Sequence, residues 1–127
     1  MPTSSGPHKR RWRPYRTAGG SEPVRDFIRR LSDEDAAEVA AAMKDVVEDG
    51  LPAARHLRGE IYEVRADGQT QSFRILFAPE GRYGQVLLAL EAFSKKTQKT
   101  PDQAIKLAER RLTDWRSRGR MPYGRTP

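Results

Sequence analysis

Residues 59–93 read GEIYEVRADGQTQSFRILFAPEGRYGQVLLALEAF, and this stretch decides the fold. Residues 59–66 contain the strand formers Ile61, Tyr62 and Val64. Asp67-Gly68 is a turn signal. Residues 71–78 alternate, with Phe73, Ile75 and Phe77 on one face and Ser72, Arg74 and Leu76 on the other. Pro79-Glu80-Gly81 is a second turn, and residues 83–93 form the most apolar run, hence the most buried strand. Short turns between three strands call for an antiparallel meander.

Upstream the period changes. Ser21 is predicted to cap a helix with Pro23 in its first turn and Val24, Phe27, Ile28 and Leu31 on one stripe. Ser32 caps a second helix, with a stripe of Ala36, Val39, Ala40, Met43, Val46 and Val47, and Gly50-Leu51-Pro52 ends it. Further upstream, residues 12–17 suit a short edge strand that tolerates Pro14. Downstream, Thr100-Pro101-Asp102 opens a last helix, Thr100 or Asp102 serving as its cap, with Ala104, Leu107, Ala108, Arg111, Leu112 and Trp115 on its stripe. The predicted order is β-α-α-β-β-β-α. It describes an α+β fold with two N-terminal helices and a C-terminal helix packed on an antiparallel sheet.

A chain of 127 residues supports one domain. Residues 12–115 are read as that domain, 1–11 as a basic disordered tail and 116–127 as a basic C-terminal tail. No apolar run approaches the roughly 18 residues of a membrane span, and no apolar segment follows the basic N-terminal residues. A cytoplasmic protein without membrane contact is the expectation. The net charge of +7 is unevenly spread. Residues 1–20 carry five bases and no acid, residues 21–52 nine acids against four bases, and cations dominate again after residue 90. Such segregation points to one face for a polyanion and another turned away from it.

The absence of cysteine excludes a disulfide scaffold, thiolate metal sites and thiol catalysis. The two histidines, His8 and His56, lie far apart, and no HExxH, P-loop or GxGxxG occurs. Carboxylates concentrate at residues 33–49, where the periodicity makes them a solvated helix face rather than a metal site. What remains is a set of cations on the sheet. Arg65 and Arg74 lie on neighbouring strands, but their relative faces depend on the register of the intervening turn. Either has a structural alternative: Arg65 paired with Glu63 or Asp67, Arg74 with Glu91. Ser94-Lys95-Lys96-Thr97-Gln98-Lys99-Thr100 leaves the most buried strand for a helix N-terminus, a setting suited to anions.

The blocks Leu57-Arg58-Gly59-Glu60-Ile61-Tyr62-Glu63-Val64-Arg65, Phe73-Arg74-Ile75-Leu76-Phe77 and Phe93-Ser94-Lys95-Lys96-Thr97-Gln98-Lys99-Thr100-Pro101 follow one another in this order. With Trp12, Tyr15-Arg16-Thr17 and Gly20-Ser21-Glu22-Pro23-Val24 before them, they resemble the phage-derived HigB-like branch of the RelE/ParE toxin superfamily across about residues 12–115. The resemblance implies a type II toxin, an mRNA endoribonuclease acting on translating ribosomes without metal or cofactor. It also implies a helix-turn-helix, HigA-like antitoxin as partner. The ParE side of the superfamily shares the fold but inhibits DNA gyrase, and a non-catalytic homologue acting only in an antitoxin complex is the other alternative.

On this resemblance Arg74 is assigned to the scissile phosphate, Arg65 to the same developing charge, and Lys95 or Lys96 to general-acid or phosphate-binding duty. Lys99, Arg58, Thr97 and Gln98 are candidates for RNA or ribosome contact. The family's best-studied sites carry lysines where this chain has Tyr62-Glu63-Val64, and a tyrosine near the last helix that is missing from residues 97–115. The general base therefore stays open among Tyr62, Glu63, Glu91 and a neutral lysine. If Glu63 faces the active surface it can take the 2′-hydroxyl proton; if it faces the core it pairs with an arginine. Arg74→Ala is expected to abolish growth arrest while leaving folding intact.

Overall fold

The computed structural model describes the backbone of residues 9–95 and 99–124. Five strands form one sheet: β1 (Arg11–Pro14), β2 (Arg55–Arg58), β3 (Ile61–Asp67), β4 (Ser72–Glu80) and β5 (Val86–Lys95), in the spatial order β1-β5-β4-β3-β2. Among the described residues, three α-helices flank it, α1 (Pro23–Arg29), α2 (Asp33–Asp49) and α3 (Asp102–Gly124), with a short 3-10 turn at Leu51–Ala53. The predicted meander is present, with β3, β4 and β5 antiparallel in sequence order.

Alternation along these strands sorts the core into two layers. Val64, Phe73, Ile75, Phe77, Leu87 and Ala89 face α1 and α2, where Val24, Val39 and Val46 complete a buried cluster. Ile61, Leu76, Ala78, Leu88 and Leu90 face the other way, against Ala108 and Leu112 of α3 and Tyr15. With a layer on each side, every residue of β4 from Ser72 to Ala78 is buried, as a central strand requires.

Ser32 caps α2 as predicted, its hydroxyl accepting from the Asp35 amide at 3.1 Å. Ser21 does not cap α1. It closes the preceding loop on Thr17, while Glu22 takes the cap position without a side-chain bond. Gly50 ends α2 at φ 79°, and the Arg10 guanidinium lies against it, donating to Val47 O at 3.0 Å. A Cβ at Gly50 would displace the end of the flexible Arg10 side chain, but it is the positive φ that favours glycine there.

The sheet departs from the expected one in two places. β1 pairs parallel to β5, so the sheet is mixed at that edge. Its orientation is set by long-range packing, including Trp12 Nε1 donating to Met43 O in α2 at 2.8 Å, which no local turn reveals. Residues 55–58, outside the predicted elements, add the short edge strand β2, with His56 packed against Tyr62 at 4.9 Å between ring centroids and Leu57 against the α3-side core.

The last helix also runs past Trp115 to Gly124, so residues 116–124 extend α3 rather than forming an irregular tail. Arg116 fixes this extension to the sheet through Glu60 and Glu80, each at 2.6 Å. Among the described residues, no helix is long and apolar enough to cross a membrane.

Candidate active site

The β3–β4 turn is closed by the Gly68 amide on Gln71 O at 2.9 Å, and this fixes the register. Arg65 stands directly opposite Arg74, so both guanidinium groups share one face of the sheet. Arg55 on β2 is opposite Glu63 on β3, and Lys95 on β5 is opposite Ser72 on β4. The same face, the one turned toward α3, therefore carries Arg55, Glu63, Arg65, Arg74 and Lys95. Two arginines directly opposed repel unless something neutralises them, and two carboxylates do so. Asp67 accepts from Arg65 Nε at 3.1 Å on the exposed rim, and Glu63 serves Arg74 below.

The Arg74–Glu63 pair is deeply buried. Arg74 is 0% exposed and Glu63 3%. Arg74 Nη1 donates to Glu63 Oε2 at 3.0 Å and to Thr100 Oγ1 at 3.1 Å. The Thr100 hydroxyl in turn donates to Glu63 Oε1, closing a ring of three hydrogen bonds. Glu91, the alternative partner for Arg74, is instead held by Arg111 at 3.2 Å. A β-bulge explains this. Leu76 pairs with Glu91 but Phe77 with Ala89, so Leu90 is extra and both Leu90 and Glu91 turn toward α3.

An open cleft of about 240 Å³ lies over this pair, lined by Pro52, Ala53, Ala54, Arg55, Glu63, Arg65 and Arg74. A carboxylate on the floor and guanidinium groups around it can draw a proton from a hydroxyl and hold the oxyanion that results. Glu63 lies on the arginine-bearing face and pairs with Arg74.

Other candidates lie elsewhere. Tyr62 alternates to the opposite face, packed between His56 and Phe77, so it cannot reach the Arg65–Arg74 row. Arg58 is engaged by Asp102 at 2.7 Å and Glu109 at 2.9 Å, and works as a clamp on α3 rather than as an open cation. His56 bonds Gly59 O at 2.8 Å within its hairpin. Lys95 lies on the site face at the end of β5, and Lys99 is exposed. Lys96, Thr97 and Gln98 lie outside the described residues. Two contributors were not singled out from the sequence as site residues. Arg55 belongs to a strand too short to show alternation, and Thr100 looked like a helix cap.

The model of a protein family, the phage-derived Gp49-like proteins, matches residues 26–113, from α1 into α3 and through the whole cleft. The chain belongs to this family. It is also similar to the protein named "Probable endoribonuclease HigB1" in two strains of Mycobacterium tuberculosis, CDC 1551 / Oshkosh and ATCC 25618 / H37Rv. Each is 32% identical over 119 residues, covering 91% of this chain and 90% of the relative. The resemblance to the HigB-like branch is thereby borne out.

In this Gp49-like protein the start of α3 is held beside the cleft by charge. Hydrogen bonds from Arg58 keep Asp102 and Glu109 below the usual carboxylate range, Lys106 adding to the effect at Asp102. Reciprocally, the bonds to Glu109 and Asp102 push Arg58 above the ordinary arginine value. Farther along, Arg116 lowers Glu60 by the same means. Asp114 is lowered by Arg118 and by the Tyr15 hydroxyl, while Tyr15 is raised by burial and by its bond to Asp114.

Proposed function

We propose that this protein is the toxin of a type II toxin–antitoxin pair and an endoribonuclease that cleaves mRNA on translating ribosomes. Membership of the Gp49-like family and the name carried by its mycobacterial relatives support this reading. The observation that carries it is the grouping of Arg55, Arg65 and Arg74 around the Glu63 carboxylate in one open cleft.

The reaction that fits these groups is an internal transesterification. Glu63 takes the proton of the ribose 2′-hydroxyl, using lone pairs left over after its bonds to Arg74 and Thr100. The 2′-oxygen bonds to phosphorus, the bond to the 5′-oxygen breaks, and Lys95 returns a proton to that oxygen. The products are a 2′,3′-cyclic phosphate and a 5′-hydroxyl end. Arg65 and Arg55 hold the non-bridging oxygens, where charge grows, so the cations supply the stabilisation that a metal gives elsewhere. Arg65 leaves Asp67 readily, because an exposed ion pair is worth only about 0–1 kcal/mol. Arg74 acts from beneath, adding positive potential and fixing the Glu63 carboxylate, and Lys99 grips the RNA backbone. An antitoxin of the HigA-like, helix-turn-helix type holds the toxin inactive.

Mapping RNA 5′ ends after a short pulse of expression tests this reading. New 5′-hydroxyl ends within coding sequences are expected. Intact mRNA accompanied by DNA damage would instead mark a gyrase poison and overturn the nuclease assignment.

A further inference from the structure

We infer that Thr100 is a positioning residue for the cleft: its hydroxyl fixes Glu63 and Arg74 in the arrangement that the reaction uses. The inference rests on the nuclease reading above.

Thr100 is 8% exposed and lies two residues before the first residue of α3. Its hydroxyl has one hydrogen and spends it on Glu63 Oε1, while its oxygen accepts from Arg74 Nη1. Without it, the carboxylate would keep only the Oε2 bond to Arg74 among these three contacts and could swing about its terminal torsion, which is broad and soft. The second bond stops that swing. Arg74 Nη1 has two hydrogens, and these two contacts use both, so the plane of the guanidinium is set as well.

Thr100 is itself held. Pro101 follows it with a fixed φ, and Pro101 O accepts from the Ala104 and Ile105 amides. Asp102 is tied to Arg58 on β2. The clamp that docks α3 therefore also places the hydroxyl over the pair. As a helix cap, Thr100 would have directed its oxygen to a backbone amide of α3; it is turned to the cleft instead.

The test compares Thr100→Val, which keeps the shape and loses the hydroxyl, with Thr100→Ser, which keeps the hydroxyl. The full chain is assayed on ribosomes programmed with end-labelled mRNA, and Arg74 is followed by ¹⁵N guanidinium NMR. Thr100→Val is expected to lose about 10- to 100-fold in kcat with KM changed less than about threefold, as misplacement of a reacting group does. Thr100→Ser is expected within about threefold of wild type in kcat.

In the spectra, slowed exchange of the Arg74 Nη1 hydrogens should be present in wild type and Thr100→Ser and lost in Thr100→Val. Equal kcat for folded Thr100→Val and wild type overturns the inference, and so does fast Nη1 exchange in wild type. If Thr100→Val does not fold, the Ser variant and the wild-type spectrum decide. A wild type that leaves mRNA intact would sink the nuclease reading, whereas the spectra would still report whether Thr100 holds the pair.

Discussion

Replacing Arg74 by alanine is the obvious way to test a catalytic arginine, and the structure predicts that it will mislead. Arg74 is wholly buried and its partner Glu63 is 3% exposed. Removing the guanidinium leaves a carboxylate in the core with the Thr100 hydroxyl as its remaining partner from the ring. Breaking a buried ion pair from one side costs about 3–5 kcal/mol. That is a large part of the roughly 5–15 kcal/mol that holds a domain together. With an m-value of about 2 kcal/mol/M in urea, the unfolding midpoint should fall by roughly 1.5–2.5 M.

Trp12, packed on the α1/α2 layer, and Trp115, packed on the α3 layer, give fluorescence probes of both sides of the sheet. The double replacement Glu63→Leu with Arg74→Met removes both charges and keeps the volume. It should return stability to within about 1 kcal/mol of wild type, or exceed it, because a buried pair replaced by apolar groups is often neutral or stabilising. Cleavage should be absent in the double variant although the protein folds. A midpoint for Arg74→Ala within about 0.3 M of wild type would refute the reasoning, since a buried charge left unpaired cannot cost so little.

Further outcomes follow from the same structure. Arg65→Ala lies on the exposed rim, so stability should stay within about 0.5 kcal/mol, while single-turnover cleavage should fall by roughly 10²–10³, the usual loss of one oxyanion-stabilising donor. Gly50→Ala, at φ 79° and ψ −160°, should cost about 1–3 kcal/mol in a urea titration, with the Arg10 contact disturbed as well. Acid should loosen α3. Glu60, Asp102, Glu109 and Asp114 are all lowered by arginine partners, so their contribution is complete above their unfolded values, about pH 4.3 for Glu, and is lost as pH falls through the lower folded values. Trp115 fluorescence should report that loss, and Arg58→Met should flatten the pH response; an unchanged response in that variant would remove the clamp from the explanation.

What was legible in the sequence was what local chemistry dictates. Asp67-Gly68 and Pro79-Glu80-Gly81 announce the turns, and alternation through Phe73, Ile75 and Phe77 marks the face that meets α1 and α2. Ser32 and Gly50 bracket α2 because each satisfies a need of the backbone within its own few residues. The direction of β1 was not legible: some seventy residues separate it from β5, and long-range packing such as Trp12 against α2 fixes it. The bulge at Leu90 was hidden inside a uniformly apolar run, and without it Glu91 could not be assigned to Arg111.

At the site, residue types identified the cations, but register decided their use. The turn puts Arg65 opposite Arg74, and burial then forces Arg74 onto Glu63, so the expectation that Arg74→Ala folds normally gives way. Arg58 matched a family block, yet its fork is filled by two acids of α3, forty-four and fifty-one positions away, beyond the range of any sequence window.

The outermost strands of the sheet carry a further consequence. β1 reads RWRP and β2 reads RHLR, each only four residues long. Stacking a second copy along the β1 border would bring Arg11 and Arg13 against like charge, and Pro14 withholds a backbone donor from that border; the β2 border is only four residues long. The apolar β4 and β5 in the middle are thus fenced on both sides against templated fibre growth, which should help the protein survive at high concentration while it is freshly made and not yet bound.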